Sequence, residues 1–247
     1  MALASDRLTA VILAGGKGTR LRSVVSDRNK VAASVNGRPF LAYLLDQLAT
    51  AGIGDVVFST GYMGEHIRAE FGETFGSLRL RYFQENEPMG TGGALRDTCR
   101  GFGLERVLAM NGDSYCDVDF LQFQQWHREK NASASLVLAN VSQVGRFGSV
   151  ECDAGGRIAA FREKNASTES GWINAGIYLL EPAFLSTIPL SGPVSVERDV
   201  FSTWKSNGLF GFRTQGKFID IGTPESYAQA AAFFTGEQRV QAQQAQQ

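Results

Sequence analysis

The sequence predicts an α/β protein: a mostly parallel sheet covered by helices on both faces, joined to a smaller β-containing lobe. Three observations carry that expectation. Short apolar runs alternate with helical segments through the first half of the chain, and strand–helix alternation of this kind folds as a buried parallel sheet. At 247 residues, 43% apolar and 20% charged, the chain can bury a core within one large domain and is too apolar for wholesale disorder. The second half carries a hairpin signal and fewer helical stretches, so it extends the sheet and adds a lobe facing a ligand.

Each element has its own signal. Thr9–Ala14 is a short apolar run closed by Gly15-Gly16, a buried-strand pattern. Pro39 suits a helix start, Phe40, Leu41, Leu44, Leu45 and Leu48 fall on one helical face, and Gly52 can stop the helix. Asp55–Thr60 reads as the second strand, residues 65–75 as a helix, and residues 78–83 as the third strand. Residues 90–93 read as a glycine-rich turn before a helix that ends at Cys99. Residues 106–111 form a strand ending at Gly112-Asp113, and residues 120–130 a helix with Phe120, Phe123 and Trp126 inward. Residues 135–141 are a strand. Residues 148–152 and 157–161 flank Asp153-Ala154-Gly155-Gly156, a good hairpin turn. Residues 172–180 form a strand, and 196–206 a helix with Val196, Val200, Phe201 and Trp204 on one face. A short strand over 218–221 and a helix over 224–234 close the fold. No linker rich in Pro, Gly or Ser divides the chain, so residues 1–235 read as one domain with halves at about 1–130 and 131–235. Residues 236–247 are dominated by Gln and Ala and are expected to form a disordered tail.

Composition excludes several classes. With 24 Lys+Arg against 25 Asp+Glu, there is no electrostatic footprint for nucleic acid or an anionic membrane. No apolar run approaches the ~18 residues that span a bilayer, and the first residues do not read as a signal peptide. Cys99, Cys116 and Cys152 are too few and scattered for a disulfide framework and read as buried small hydrophobes. With only His66 and His127 as imidazoles, both expected to be exposed, zinc is disfavoured. A reducing, cytoplasmic setting follows.

The chemistry concentrates in Leu13-Ala14-Gly15-Gly16-Lys17-Gly18-Thr19-Arg20-Leu21. Glycines let backbone N–H groups turn toward an anion. A Walker A loop fails here because Gly18 follows Lys17. The dinucleotide fingerprint fails because Leu21 holds its third glycine position and no acid follows about twenty residues on. A plain structural turn stays open, though Arg20 sets a fixed cation beside the donors. Lys17 reads as solvent-facing.

This loop resembles the signature of the sugar-1-phosphate nucleotidyltransferases, which join a nucleoside triphosphate to a sugar 1-phosphate and release pyrophosphate. The resemblance continues in order to about Phe234. Its blocks are Asn29-Lys30-Val31-Ala32 with Val35-Asn36-Gly37-Arg38-Pro39-Phe40, then Glu87-Pro88-Met89-Gly90-Thr91-Gly92-Gly93-Ala94-Leu95 and Met110-Asn111-Gly112-Asp113. Phe161-Arg162-Glu163-Lys164, Ile173-Asn174-Ala175-Gly176-Ile177-Tyr178 and Phe218-Ile219-Asp220-Ile221-Gly222-Thr223-Pro224 follow. The family usually has Pro-Lys-Pro where Asn29-Lys30-Val31 stands. The charge is kept, and the departure bears on the rigidity of the loop. Within the family the likeness is closest to the guanylyltransferases of D-glycero-α-D-manno-heptose 1-phosphate. Mannose, glucose and N-acetylmuramate 1-phosphate enzymes share much of the pattern.

The resemblance implies a Rossmann-like fold of the nucleotide-diphospho-sugar transferase type, with a nucleotide-binding first half and a sugar-phosphate-binding second half. It implies GTP and a heptose 1-phosphate as substrates, in nucleotide-sugar synthesis for a surface polysaccharide. Arg20, Lys30 and Asp113 would be catalytic. Leu13, Ala14, Gly15, Gly16, Gly18, Thr19, Gln84, Gly90, Thr91 and Gly112 would bind the nucleotide. Gly148, Glu163, Lys164 and Asn174 would hold the sugar phosphate. Asp113 and Asp220 each follow an apolar strand and would bind Mg²⁺, a hard cation that suits carboxylate, water and phosphate oxygen; taken singly, a helix cap and a turn are their plain readings. The nucleophile is an anionic phosphate oxygen and needs no general base, so few histidines are no objection. The demand is for cations and positioning.

Two other classes stay in view. Asp117-Val118-Asp119 mimics the Asp-x-Asp metal motif of glycosyltransferases, though it opens a helix and reads better as a cap. A non-catalytic subunit that only binds nucleotide sugar is the other, and Arg20, Lys30, Asp113 and Asp220 retained together speak against it. A homodimer is compatible with the sequence, which does not set the oligomeric state.

Overall fold

The computed structural model describes residues 8–16, 18–21, 23–25, 29–162, 169–204 and 208–244, with the backbone alone over 236–244. Strand β1 (Thr9–Ala14) leads through the glycine-rich loop to a single 3-10 turn (Lys30–Ala32), the strand pair β2 (Ser34–Val35) and β3 (Arg38–Pro39), and helix α1 (Phe40–Thr50). Then come β4 (Asp55–Thr60), α2 (Gly64–Phe71), β5 (Thr74–Phe75), β6 (Leu78–Gln84), α3 (Gly90–Phe102), β7 (Val107–Asn111), β8 (Ser114–Cys116) and α4 (Phe120–Glu129). The second half contains β9 (Ala134–Val141), β10 (Ser149–Cys152), β11 (Ile158–Arg162), β12 (Gly171–Leu180) and α5 (Pro182–Leu185). A π-helical segment (Val196–Phe201) runs into α6 (Ser202–Trp204), and β13 (Leu209–Thr214), β14 (Phe218–Asp220) and α7 (Pro224–Gln244) end the chain.

Eight strands form one sheet in the order β13-β9-β12-β7-β1-β4-β6-β5. Strands β1, β4, β6 and β7 are parallel, as are β9 and β13. Strand β12 runs antiparallel to both of its neighbours. Alternation along β1 sends Ala10 and Ile12 to one face and Val11 to the other, the pattern of a strand buried on both sides. On the first face lie Phe40, Leu41 and Leu44 of α1, Phe120 and Phe123 of α4, and Phe234 of α7. On the second lie Leu95 of α3, Phe184 of α5, and Val196, Val200 and Phe201 of the π-helical segment. The expected two-faced α/β sheet is the one observed.

The register matters for function. Ala14 pairs with Thr60, Thr60 with Gln84, and Leu13 with Asn111. Four parallel strands therefore end level, and the loops that leave them gather along one carboxyl edge. Open α/β sheets bind ligands at that edge.

Several elements differ from the expectation. The helix expected over 65–75 stops at Phe71, because Gly72 adopts φ 63° and its N–H returns to the Arg68 carbonyl. Thr74 and Phe75 then pair with Arg79 and Leu78. The glycines at 90–93 are no turn but the first turn of α3, which runs on to Phe102. The helix expected over 196–206 is π-helical over Val196–Phe201 and α-helical only over Ser202–Trp204. Helix α7 continues to Gln244, past the point where the sequence placed a disordered tail. His127 is buried, not exposed, at 2% accessibility. It shares the inward face of α4 with Phe120 and Phe123 at i, i+3, i+7 spacing. Its Nδ1 lies 2.8 Å from Ser135 Oγ and its Nε2 3.1 Å from Glu181 Oε1. No helix among the described residues is long and apolar enough to cross a membrane.

Candidate active site

The glycine-rich loop passes through a narrow gap at the end of β1. A Cβ added at Gly15 would lie 2.4 Å from Glu85 Oε1, and one added at Gly61 2.8 Å from the Gly15 carbonyl. Gly18 has φ 57° and rests against the Lys30 side chain. Leu21, 1% exposed, anchors the loop in the core, its N–H bonded to the Gly18 carbonyl at 3.0 Å. With Leu21 pinned inward, Thr19 and Arg20 stand outward. Apolar anchor and small neighbours thus present backbone and one guanidinium to the same space.

That space is a cleft of about 470 Å³ at the carboxyl edge of the sheet. Leu13, Ala14, Gly15, Gly16, Gly18, Thr19, Arg20 and Lys30 line it together with Gly90, Thr91, Asn111 and Asp113. Lys30 Nζ lies 2.6 Å from Asp113 Oδ2. The two sequence-predicted metal ligands are neighbours. Strand β14 pairs with β8 so that Asp220 faces Ser114, and the Ile221 N–H donates to the Asp113 carbonyl at 2.9 Å. Asp220 Oδ1 accepts from Arg146 Nη2 at 2.9 Å and from the Gly222 N–H at 3.2 Å.

Among the described residues no group of three or more His, Cys, Asp or Glu could hold a metal without help. Asp113 and Asp220, brought together by their backbone pairing, carry the hard carboxylate oxygens that a divalent cation takes, with water and phosphate oxygens completing its shell. The residues present therefore suit a metal that arrives with its polyphosphate.

Other predicted residues lie elsewhere. Gln84 is turned away from the cleft: its Oε1 accepts from Thr60 Oγ1 at 3.0 Å and its Nε2 donates to the Gly61 carbonyl at 3.0 Å. Glu85 lines the cleft in its place. The signal was available, because successive residues leaving a strand point to opposite faces. Burial raises the Glu85 carboxyl above its ordinary range, while the Met89 N–H, donating at 3.3 Å, and Ser59 Oγ hold it back. Gly112 backs the cleft, its N–H bonded to the Leu13 carbonyl at 2.9 Å. Gly148 has φ 78° and closes a turn onto the Val144 carbonyl, outside the cleft lining. Glu163, Lys164 and Lys17 lie outside the described residues.

Asn174 serves its own strand. Its Oδ1 accepts from the Gly176 N–H at 2.9 Å across the bulge in β12, and its Nδ2 donates to Tyr178 Oη at 3.0 Å. Tyr178 Oη donates to Glu197 Oε1 at 3.1 Å. Thr91 Oγ1 donates to Glu197 Oε2 at 2.7 Å and accepts from the Val196 N–H at 2.9 Å. Glu197, which sequence reasoning missed, thus ties the cleft wall at Thr91 to the lobe carrying Asn174. The glycines of α3 serve the same junction. A Cβ at Gly90 would lie 2.5 Å from the Val194 carbonyl, and that carbonyl accepts from the Gly92 N–H at 2.8 Å.

A second cavity, about 630 Å³, lies between α1, the start of α4 and Phe234 of α7. It is the larger, yet it holds none of the predicted site residues. Asp117 and Asp119 line it, and Asp119 caps α4 by accepting from the Gln122 N–H at 2.9 Å. The cap accounts for Asp119 without a metal.

A glycine loop, a guanidinium, an ammonium and two adjoining acids at one strand edge describe a protein that handles polyphosphates. The chain belongs to the nucleotidyl transferase family, whose sequence model matches residues 9–237. It is 37% identical to the D-glycero-alpha-D-manno-heptose 1-phosphate guanylyltransferase of Aneurinibacillus thermoaerophilus, over 90% of this chain and 96% of that protein. It is 35% identical to the mannose-1-phosphate guanylyltransferase of Mycobacterium tuberculosis, over 93% of this chain but 65% of that longer protein. The crystal structure of HddC from Yersinia pseudotuberculosis superposes with a TM-score of 0.81 at 31% identity, covering 92% of this chain and 99% of that one. HddC has also been crystallised with GMP-PN.

Proposed function

We propose that the protein transfers a guanylyl group from GTP to a sugar 1-phosphate, with D-glycero-α-D-manno-heptose 1-phosphate as the sugar substrate. The observation that carries this reading is the convergence of Arg20, Lys30 and Asp113 with the glycine loop in one cleft, joined to Asp220 through the β8–β14 ladder. The heptose enzyme of A. thermoaerophilus matches along nearly its whole length, which favours heptose over the longer mannose enzyme.

An anionic oxygen of the sugar phosphate attacks the α-phosphorus of the triphosphate. The new P–O bond forms as the bond to the bridging oxygen breaks, and pyrophosphate leaves. Backbone N–H groups of the loop cradle the phosphates, and the planar donors of Arg20 take the departing charge. Lys30 neutralises charge at the α-phosphate. Glu85 offers two acceptor oxygens, which match the N1–H and N2–H₂ donors of guanine and suit adenine poorly. Glu163 and Lys164 are assigned to the sugar hydroxyls and its phosphate by family likeness. Asp113 and Asp220 would hold Mg²⁺, which when bound screens the negative oxygens of the two esters. All three cysteines are free thiols, which accords with a cytoplasmic setting.

The test is a matrix of nucleoside triphosphates against sugar 1-phosphates with Mg²⁺, scored by product mass and pyrophosphate release. GTP with the heptose 1-phosphate is expected to give GDP-heptose. No pyrophosphate from any pair overturns the reading. Sugar transfer from GDP-mannose to an acceptor would indicate a glycosyltransferase instead. Tight nucleotide-sugar binding without turnover would indicate a sensor.

A further inference from the structure

Lys30 must be held still to act, and its local structure is poor at holding it. It opens a 3-10 turn of three residues, a length with weak hydrogen bonds and no cooperativity of its own. The preceding residue supplies what the turn lacks. Asn29 is 2% exposed, and its side-chain amide makes three hydrogen bonds. Oδ1 accepts from the Val31 N–H at 3.1 Å and caps the turn. Nδ2 donates to the Ala14 carbonyl at 3.2 Å and to the Tyr62 carbonyl at 2.7 Å. One amide therefore joins the end of β1, the loop after β4 and the turn carrying Lys30.

Aspartate, serine and proline each fail to make all three bonds. Aspartate would set a negative charge against two carbonyl oxygens. Serine would keep a capping oxygen but offers one short O–H in place of the two amide N–H donors. Proline tolerates the observed φ of −62° but makes none of the three bonds. Beyond the amide, Lys30 touches two further parts of the site: its amine reaches Asp113 at 2.6 Å, and its side chain abuts Gly18. Loosening the turn would disturb both.

We propose that Asn29 is a positioning residue that locks Lys30 against Asp113 before any substrate arrives. The geometric part stands alone; its catalytic consequence rests on the guanylyl-transfer reading. The first measurement needs no ligand. Lysines are acylated with an N-hydroxysuccinimide ester and scored by peptide mass spectrometry, with the exposed Lys217 as internal reference. Lys30 should label slowly in the parent and about tenfold faster in Asn29→Ala, as expected when buried hydrogen bonds are lost from a local opening equilibrium. Asn29→Ser should fall between them and decides the matter if Asn29→Ala does not fold. Unchanged Lys30 labelling in a folded variant overturns the proposal. The second measurement is GTP-dependent pyrophosphate release. Asn29→Ala should lower kcat about tenfold and leave KM for the sugar 1-phosphate within about twofold, the signature of lost orientation. A kcat equal to the parent's overturns the catalytic consequence. A parent with no activity sinks the reading of function and leaves the labelling result intact.

Discussion

At the scale of single residues, the site is a problem in charge. Lys30 and Asp113 meet at 2.6 Å with side-chain exposures of 11% and 41%, so the ammonium is screened from water while the carboxylate still opens to the cleft. Lys30→Ala and Asp113→Ala should each cut turnover by about 10²-fold or more, the scale on which one well-placed charge acts in a transition state. Circular dichroism should stay unchanged, and retained activity in either would remove that residue's role. Glu85 makes a second case. Its carboxyl is raised by burial, so its ionised form costs stability at neutral pH, and that cost grows as pH rises through the raised value. Glu85→Gln should therefore melt higher than the parent at pH 7–8 and discriminate GTP from ATP less well, by about tenfold. Lower melting with unchanged discrimination would remove Glu85 from base reading.

At the scale of elements, the site depends on segments that sit unusually close. Helix α3 begins on Gly90, whose φ of 69° and 2.5 Å clearance to the Val194 carbonyl exclude a side chain. The π-helical segment presents Glu197 to Tyr178, Thr91 and Ser195 together, through distances of 3.1, 2.7 and 2.9 Å. A carboxylate can accept from all three, whereas an amide has one acceptor oxygen. Glu197→Gln should strand a donor and cost about 1–3 kcal/mol in urea unfolding. It should also weaken nucleotide binding, because Thr91 lines the cleft. Parent-like stability would mean that water serves these donors as well as the carboxylate does.

At the scale of the whole molecule, one sheet carries two cores on opposite faces. The polar cluster of His127, Ser135 and Glu181 is remote from the cleft and links α4, β9 and the end of β12. Burial lowers the His127 pKa below 6.5, with Glu181 opposing that shift. The folded protein refuses a proton that the unfolded chain accepts, so this contribution is complete above the unfolded value and declines as pH falls below it. His127→Asn should flatten the loss of stability between pH 6.5 and 5, by at most about 1.4 kcal/mol per pH unit. Equal pH slopes in the two proteins would exclude His127 as a source of acid sensitivity.

The sequence alone located β1, β4, β6, β7, β9 and β12, the glycine loop and its neighbours, and the residues that carry charge; the edge strand β13 and the short β2, β3, β5 and β8 were not among its expectations. The features it located are local. The run from Thr9 to Ala14, the hairpin at Asp153-Ala154-Gly155-Gly156 and the cap at Asp119 are each set by residues within a few positions. The resemblance of the blocks in order was equally legible. Tertiary structure decided what no local pattern contains. It set Glu85 rather than Gln84 in the cleft, buried His127, gave the glycines of α3 to Val194, and made Asn29 a tie between three distant backbones. Each depends on which carbonyl, carboxylate or wall of side chains comes within hydrogen-bond range once the sheet is closed. Such distances are fixed by the packing of segments far apart in the chain.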